Sequence, residues 1–344
     1  MTPLKKPIHH HDYAIAELPQ SIREALDSTS LPWLNSLAFC TGYATEVAER
    51  VLIFVDDDRI IQAIFYRLTR KAGIFKVIEV IGFPNAYAQD INELLKIHRA
   101  QLAIVNHIEP PVKPNEEWQP TQANVFCHTY ISILQLPQSK EIYSGQLSKG
   151  RRSELARLWR KANAHFENNL EMRCETKTDI KFEDVVQLEC LNRKRRSMKG
   201  KGVESIPQIQ KRQQQRWALT QSRGLLLTFR HEGKIIAGSL AYLHGDEAFC
   251  IVIAHNTAYN SLSLGTLCIW KNIECLIEKG IKQCNFQWGR QTYKTWFLAL
   301  EYPWSVHIVS PYKWLAIVWK QQILFNQFSK QVWRFVKTKL GLQG

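Results

Sequence analysis

Residues 224–255 read as three apolar runs, GLLLTFR (224–230), IIAGSLAYL (235–243) and EAFCIVIAH (247–255), joined by the short turns HEGK and HGD. Glycine-bearing turns between β-rich runs fold the chain back on itself, so these residues predict three antiparallel strands. After them LGTLCIWKNIECLIEKG is an amphipathic helical pattern that Gly280 ends, and KQCNFQW reads as another strand.

The same order occurs earlier. From Val51 the chain reads VLIFVDDDRIIQAIFYRL, a hairpin around an Asp-rich turn, and KVIEVIG (76–82) adds a third strand. Asp90 opens a helix with Ile91, Leu94, Leu95 and His98 on one face, and LAIVNHI from 102 reads as the next strand. Residues 110–120 are a proline-rich loop, VFCHTYISILQL is a strand, and 137–147 is expected to be a linker. Ser153 to Phe166 is helical, NLEMRCE is a strand, and Asp179 is placed to cap a helix bearing Val185, Leu188 and Glu189. Strands, helix, strand therefore appears twice, which predicts an α/β (α+β) chain of two tandem units with mixed, mostly antiparallel sheets flanked by helices. The expected boundaries are 1–140, 141–310 and a tail at 311–344.

The 344 residues suffice for two such domains, and 45 Lys+Arg against 31 Asp+Glu give a net charge of +14, which favours anionic partners. None of the eight cysteines forms a CxxC pair, and most sit in apolar runs, so they read as buried thiols of a reducing cytoplasm. The amino-terminal MTPLKKPIHHHDY has no apolar core of a leader, and no run approaches a membrane span, so neither secretion nor membrane spanning is expected. Three adjacent histidines, His9 to His11, point in different directions and read as a solvated tail; no metal is expected.

Chemistry concentrates in the second half. The loop NTAYNSLSLGTL (256–267) leads from a strand into a helix through Ser263, Leu264, Gly265 and Thr266. Free N–H groups at a helix N-terminus favour an anion, and a glycine lets a phosphate approach the backbone. An N-cap with a packing glycine is the alternative. Glu189, in the apolar context LECL, is a candidate base whose burial would favour the proton, or else a carboxylate paired with Arg193, Lys194 or Arg195. His255 is a second candidate base, or a strand-end histidine with its partners satisfied.

The run from Asn285, NFQWGRQTYKTWF, resembles the Asp-Phe-x-x-Gly-x-x-x-Tyr-Lys signature of GNAT proteins related to the CelD-like acetyltransferases of bacterial polysaccharide synthesis. Gly289, Tyr293 and Lys294 match, and Asn285 stands in place of Asp. Upstream, RRSMKGKGV resembles that family's Ser-Trp-Lys-Gly segment at Ser197, Lys199 and Gly200, with Met198 for Trp. The resemblance implies a fold shared with Fem-type aminoacyltransferases. It implies transfer of an acyl group from acetyl-CoA or another acyl-CoA to an amine or hydroxyl of a saccharide or envelope precursor. It places donor binding at Ser263 to Thr266 and acceptor contacts at Lys199, Asn285 and Gly289. Tyr293 is then a candidate proton donor to the leaving thiolate, or else a ring packed beneath a loop, and Lys294 a candidate partner of the oxyanion or a donor phosphate, or else a solvated lysine. Two alternatives stay open: a Fem-type transferase using charged tRNA, and a non-catalytic GNAT-like module. The basic segment 192–202 suits a clamp on a phosphate-bearing partner. The tail, with Lys313, Lys320, Lys330, Arg334, Lys337, Lys339 and no acidic residue, is an amphipathic helix that either folds back or lies on an anionic membrane at the cytoplasmic face.

Overall fold

The computed structural model describes residues 9–27, 36, 39–43, 48–56, 59–71, 75–82, 88–113, 116–198, 200 and 203–339. The chain forms two compact units, residues 1–129 with 303–344, and residues 130–302. These limits differ from the boundaries at 140 and 310 expected from sequence, and the carboxy-terminal segment belongs to the first unit.

In the first unit, β1 (His9–Ala14), β2 (Arg50–Asp56), β3 (Arg59–Lys71) and β4 (Phe75–Ile81) pair antiparallel in turn. Helix α1 (Gln20–Asp27) lies between β1 and β2 in the chain. Helix α2 (Ala88–Ile97) then returns the chain so that β5 (Leu102–Ile108) lies parallel to β4. The outer neighbour of β5 is a strand from near the end of the chain, β12 (Leu300–Val309), paired antiparallel. Period-two alternation sorts the sheet's faces. Ile78, Val80, Ala103 and Val105 meet Ile91, Leu94 and Leu95 of α2, whereas Val77, Leu102, Val306 and Ile308 meet Leu315 and Ala316 of the last helix, α9 (Lys313–Lys339).

The second unit repeats this order. β8 (Gly224–His231), β9 (Lys234–His244) and β10 (Glu247–His255) form the meander, α7 (Leu264–Glu278) crosses over, and β11 (Gln283–Trp288) lies parallel to β10. The outer neighbour of β11 is β6 (Val125–Gln135), antiparallel, and β7 (Glu171–Thr176) extends the other side beyond β8. Helices α4 (Lys149–His165) and α7 bury Leu155, Leu158, Leu267, Ile273 and Leu276 against Leu225, Leu227 and Phe229. The opposite face carries α5 (Phe182–Met198), whose Leu188 lies so close over Gly238 that a β-carbon there would sit 3.2 Å from it, and α6 (Ile206–Arg223). Each fully buried Leu or Phe of such layers contributes about 1.5–3 kcal/mol. Both units therefore have mixed sheets flanked by helices.

Several expectations are corrected. The expected linker at 137–147 holds α3 (Lys140–Gln146), capped by Ser139 and anchored by the buried Tyr143. Asp179 ends a short 3-10 turn, and α5 starts at Phe182, so Asp179 is not its cap. The whole of α6 was not expected, although Ser205 and Gln208 form a capping box there with a proline in the first turn. His9 to His11 lie in edge strand β1 and not in a solvated tail. Cys174 and Cys275 are joined by a disulfide, whereas Cys40, Cys250, Cys268 and Cys284 are buried thiols and Cys127 and Cys190 are half-buried.

One polar cluster ties the first unit together. The Tyr66 hydroxyl, fully buried, donates to Asp12 Oδ1 at 2.6 Å, accepts from Arg50 Nε at 3.2 Å and lies 2.6 Å from His98 Nε2. Arg50 also bonds Asp12 Oδ2 at 2.8 Å, so β1, β2, β3 and the end of α2 meet in one network. Burial pushes the Tyr66 phenol up and the His98 imidazole down. Removing the hydroxyl leaves the Asp12 carboxylate short of a donor in a partly buried place. Tyr66→Phe should therefore cost about 1–3 kcal/mol, seen as a lower urea midpoint with an unchanged slope.

Candidate active site

Strands β10 and β11 stay side by side for only three residue pairs, Glu247 to Phe249 against Gln283 to Asn285. Beyond Phe249 they diverge. A bulge at Cys250 to Val252 interrupts the pairing of β10 with β9, and a second between Asn285 and Trp288 interrupts that of β11 with β6. Bulges bend a strand and re-aim its side chains. Between the diverging strands lies a cavity of about 580 Å3, walled by Cys250 to Ile253 and His255 of β10, Phe286 to Trp288 of β11, and Gly265 and Thr266 of α7.

The end of β11 is shaped by its own polar groups. Asn285 Oδ1 accepts from the Gln287 N–H at 2.9 Å, holding Gln287 at φ 60°, and Gly289 follows at φ 88°. Only glycine adopts the latter conformation without strain. The Lys294 ammonium, 2% exposed, then donates to the carbonyls of Gln287, Trp288 and Gly289 at 3.1, 3.0 and 3.0 Å. An ammonium has three N–H groups, and here three carbonyls take them. Burial pulls its pKa down to about 8. The expected role of Lys294 toward an oxyanion or phosphate is thus corrected to one of bracing the loop.

At the other end of the cavity, Ser263 sits at φ 53° and begins α7. Its carbonyl accepts from the Thr266 and Leu267 N–H groups, so the N–H groups of Leu264 and Gly265 precede the helical ladder. Ser263, Gly265 and Thr266 line the cavity, whereas the Leu264 side chain is wholly inside the core and contributes backbone alone. The His255 ring lies over Gly265, where a β-carbon would stand 3.0 Å from Nδ1, and its Nε2 is 3.0 Å from Asn260 Oδ1. Gly265 is therefore both a packing glycine and part of the cavity wall.

Tyr293 stands on the short helix α8 (Thr292–Trp296), lines the cavity and packs on the core. Burial pushes its phenol up to about 12, so it holds its proton at neutral pH. Facing the same cavity are Asn192, Arg195 and Arg196 of α5, at the i, i+3, i+4 spacing that shares a helix face. Arg195 donates to Asn192 Oδ1 at 3.1 Å. Among the described residues that line the cavity there is no carboxylate.

Glu189 is not among the lining residues. It is 5% exposed and accepts from Arg212 at 3.1 Å, Gln213 at 3.0 Å and Asn192 at 3.3 Å. Its partner is thus Arg212 of α6, not Arg193, Lys194 or Arg195. Asn285 and Gly289 shape the β11 loop without lining the cavity, and Lys199 lies outside the described residues. The structure therefore brings His255, Ser263, Gly265, Thr266, Tyr293 and Lys294 to one place. Sequence reasoning missed Asn260, Trp288 and Gln291, which no pattern marked, and singled out neither Arg195 nor Arg196 within the basic segment.

No curated protein matches the chain. Among solved structures, FemX aligns at a TM-score of 0.55 and 9% identity, over 87% of this chain and 95% of that one. L-PGS from Bacillus licheniformis aligns at 0.53 and 12%, over 89% and 95%. A conserved protein of unknown function from Bacteroides thetaiotaomicron aligns at 0.52 and 12%, over 88% and 100%. At such identities the likeness is one of fold. The family model described as acetyltransferase (GNAT) domain matches residues 149–295, from the start of α4 to Thr295 of α8. The residues that line the candidate active site all lie inside that match.

Proposed function

We propose that the second unit transfers an acyl group from acetyl-CoA or another acyl-CoA to an amine or hydroxyl, with a saccharide of an envelope precursor as the acceptor class. The carrying observation is the divergence of β10 from β11 with the N-terminus of α7 at the opening. A strand edge released from pairing offers N–H and C=O groups to an extended amide chain, and the first N–H groups of α7 suit a pyrophosphate. Coenzyme A carries both features on one molecule. The motif at Gly289, Tyr293 and Lys294 supports placing the domain with the CelD-like acetyltransferases, at the cytoplasmic face where envelope precursors are made.

The first unit supports the same choice of donor site by contrast. Its parallel pair also runs only three residue pairs, Val77 to Glu79 against Leu102 to Ile104. There, however, the Asn106 side chain bridges the diverging strands to the Val80 carbonyl at 3.3 Å and is itself held by Trp304 Nε1 at 3.0 Å. The loop that would correspond to 256–263, at residues 83–87, lies outside the described residues.

In the reaction, the acceptor's nucleophile loses its proton to His255, whose ring Asn260 orients, and attacks the thioester carbonyl. The tetrahedral intermediate collapses with release of the thiolate, which takes a proton from Tyr293. Arg195 and Arg196, which line the cavity, supply positive charge. A second reading, a Fem-type transferase that takes its acyl group from charged tRNA, is favoured by the net charge of +14 and the FemX-like fold. Capture of tRNA by the pure protein, without stabilisation by any acyl-CoA, would select it.

Titration with acetyl-CoA, longer acyl-CoAs and free coenzyme A tests the donor. A true donor at 100 times its Kd should stabilise the fold by about 2.7 kcal/mol, visible as a raised melting temperature. Gly265→Val, which displaces the His255 ring and crowds the helix N-terminus, should remove most of that rise; an unchanged rise would refute the site. Tyr293→Phe should keep donor affinity and lower kcat, because a proton donor to the leaving group acts in the transition state. Lys294→Met should instead lower stability by on the order of 3 kcal/mol through the loss of charged hydrogen bonds, with donor affinity falling only as the loop loosens.

A further inference from the structure

Among the described residues, helix α9 carries apolar side chains on two faces, one packed on the first unit and one exposed. Leu315 and Ala316 are 3% and 4% exposed, and with Trp319 and Ile323 they pack on Val77, Leu102 and Ile308 of the first unit. Trp314, Val318 and Phe325 are 62%, 55% and 66% exposed. At roughly 100° per residue, Trp314, Val318 and Phe325 fall within an arc of about 40°, opposite the docked residues. Ile317, also exposed, widens the stripe. A docked helix ordinarily turns polar groups outward, so a stripe of this kind marks a second contact.

Charge decides what makes that contact. Residues 311–344 hold six cations and no Asp or Glu, with Lys313 and Lys320 beside the stripe. A second copy of the helix would oppose like charge to like. An anionic lipid surface takes both the cations and the apolar side chains, and Trp and Tyr suit the boundary between headgroups and acyl chains. Among the described residues no helix is long and apolar enough to cross a membrane. We infer that α9 is a membrane-docking helix that lies flat on an anionic bilayer, inserting Trp314, Val318 and Phe325 while its other face stays on the first unit. The inference is independent of the acyl-transfer reading.

The test is co-sedimentation of the full chain with vesicles of phosphatidylcholine alone and of phosphatidylcholine with phosphatidylglycerol. Binding is expected to the anionic vesicles only, and to weaken as salt rises from about 0.05 to 0.5 M. Trp314→Ser with Phe325→Ser should lower the partition coefficient by about tenfold or more, given the apolar area withdrawn from the bilayer. Lys313→Glu with Lys320→Glu should lower it on anionic vesicles while leaving the melting temperature unchanged. Failure to bind anionic vesicles, or equal binding by the wild type and the Trp314→Ser, Phe325→Ser protein, overturns the inference. So does a concentration-dependent dimer that this double substitution dissolves without any vesicle binding, which would give the stripe to a second copy.

Discussion

The Lys294 ammonium, inside the protein and bonded to three successive carbonyls, fixes where β11 ends. A cation in that place needs acceptors arranged around it, and the chain supplies them by turning at Gln287 and Gly289 in left-handed conformations. The Asn285 side chain closes the same turn from the other side. The turn follows directly on the last pair of β10 with β11, at Asn285, and the cavity lies where the two strands part. N–H groups of α7, the phenol of Tyr293 and the guanidinium of Arg195 are arranged around the same space as the braced loop.

The two units show how a shared frame is specialised by few residues. Each has a three-stranded meander, a crossover helix and a parallel strand that pairs over three residues. In the first, Asn106 and Trp304 close the gap with hydrogen bonds; in the second, the same place is a cavity. An amide side chain that fills a gap satisfies the backbone it touches, whereas an open gap leaves that backbone for a ligand. The difference lies in side chains that span or do not span, with the strand order unchanged.

The meanders and the crossover helices were legible because their periodicity is local: apolar residues at spacing two or at three and four state which face is covered. α6 escaped because its exposed face is long and polar, and its capping box went unread. That omission hid Arg212, which lies 23 residues from Glu189 in the chain and 3.1 Å from it in space. The motif containing Lys294 was found, but a motif gives residue identity and not the direction of a side chain, so a buried brace read as a catalytic cation. The Cys174–Cys275 bond joins residues 101 apart, a distance over which spacing carries no signal. Gly265 was legible as a helix-start glycine, though its need to admit the His255 ring was not.

The second unit is one uninterrupted stretch of chain, whereas the first takes β12 and α9 from the far end. During synthesis the second unit can complete its own sheet before the first unit can complete its sheet. Until residues 303–339 emerge, β5 presents an unpaired edge, and Val77 and Leu102 lack the helix that covers them. The part of the protein made first is therefore the part finished last, and one face of its sheet is covered by the very helix whose other face stands open to a surface.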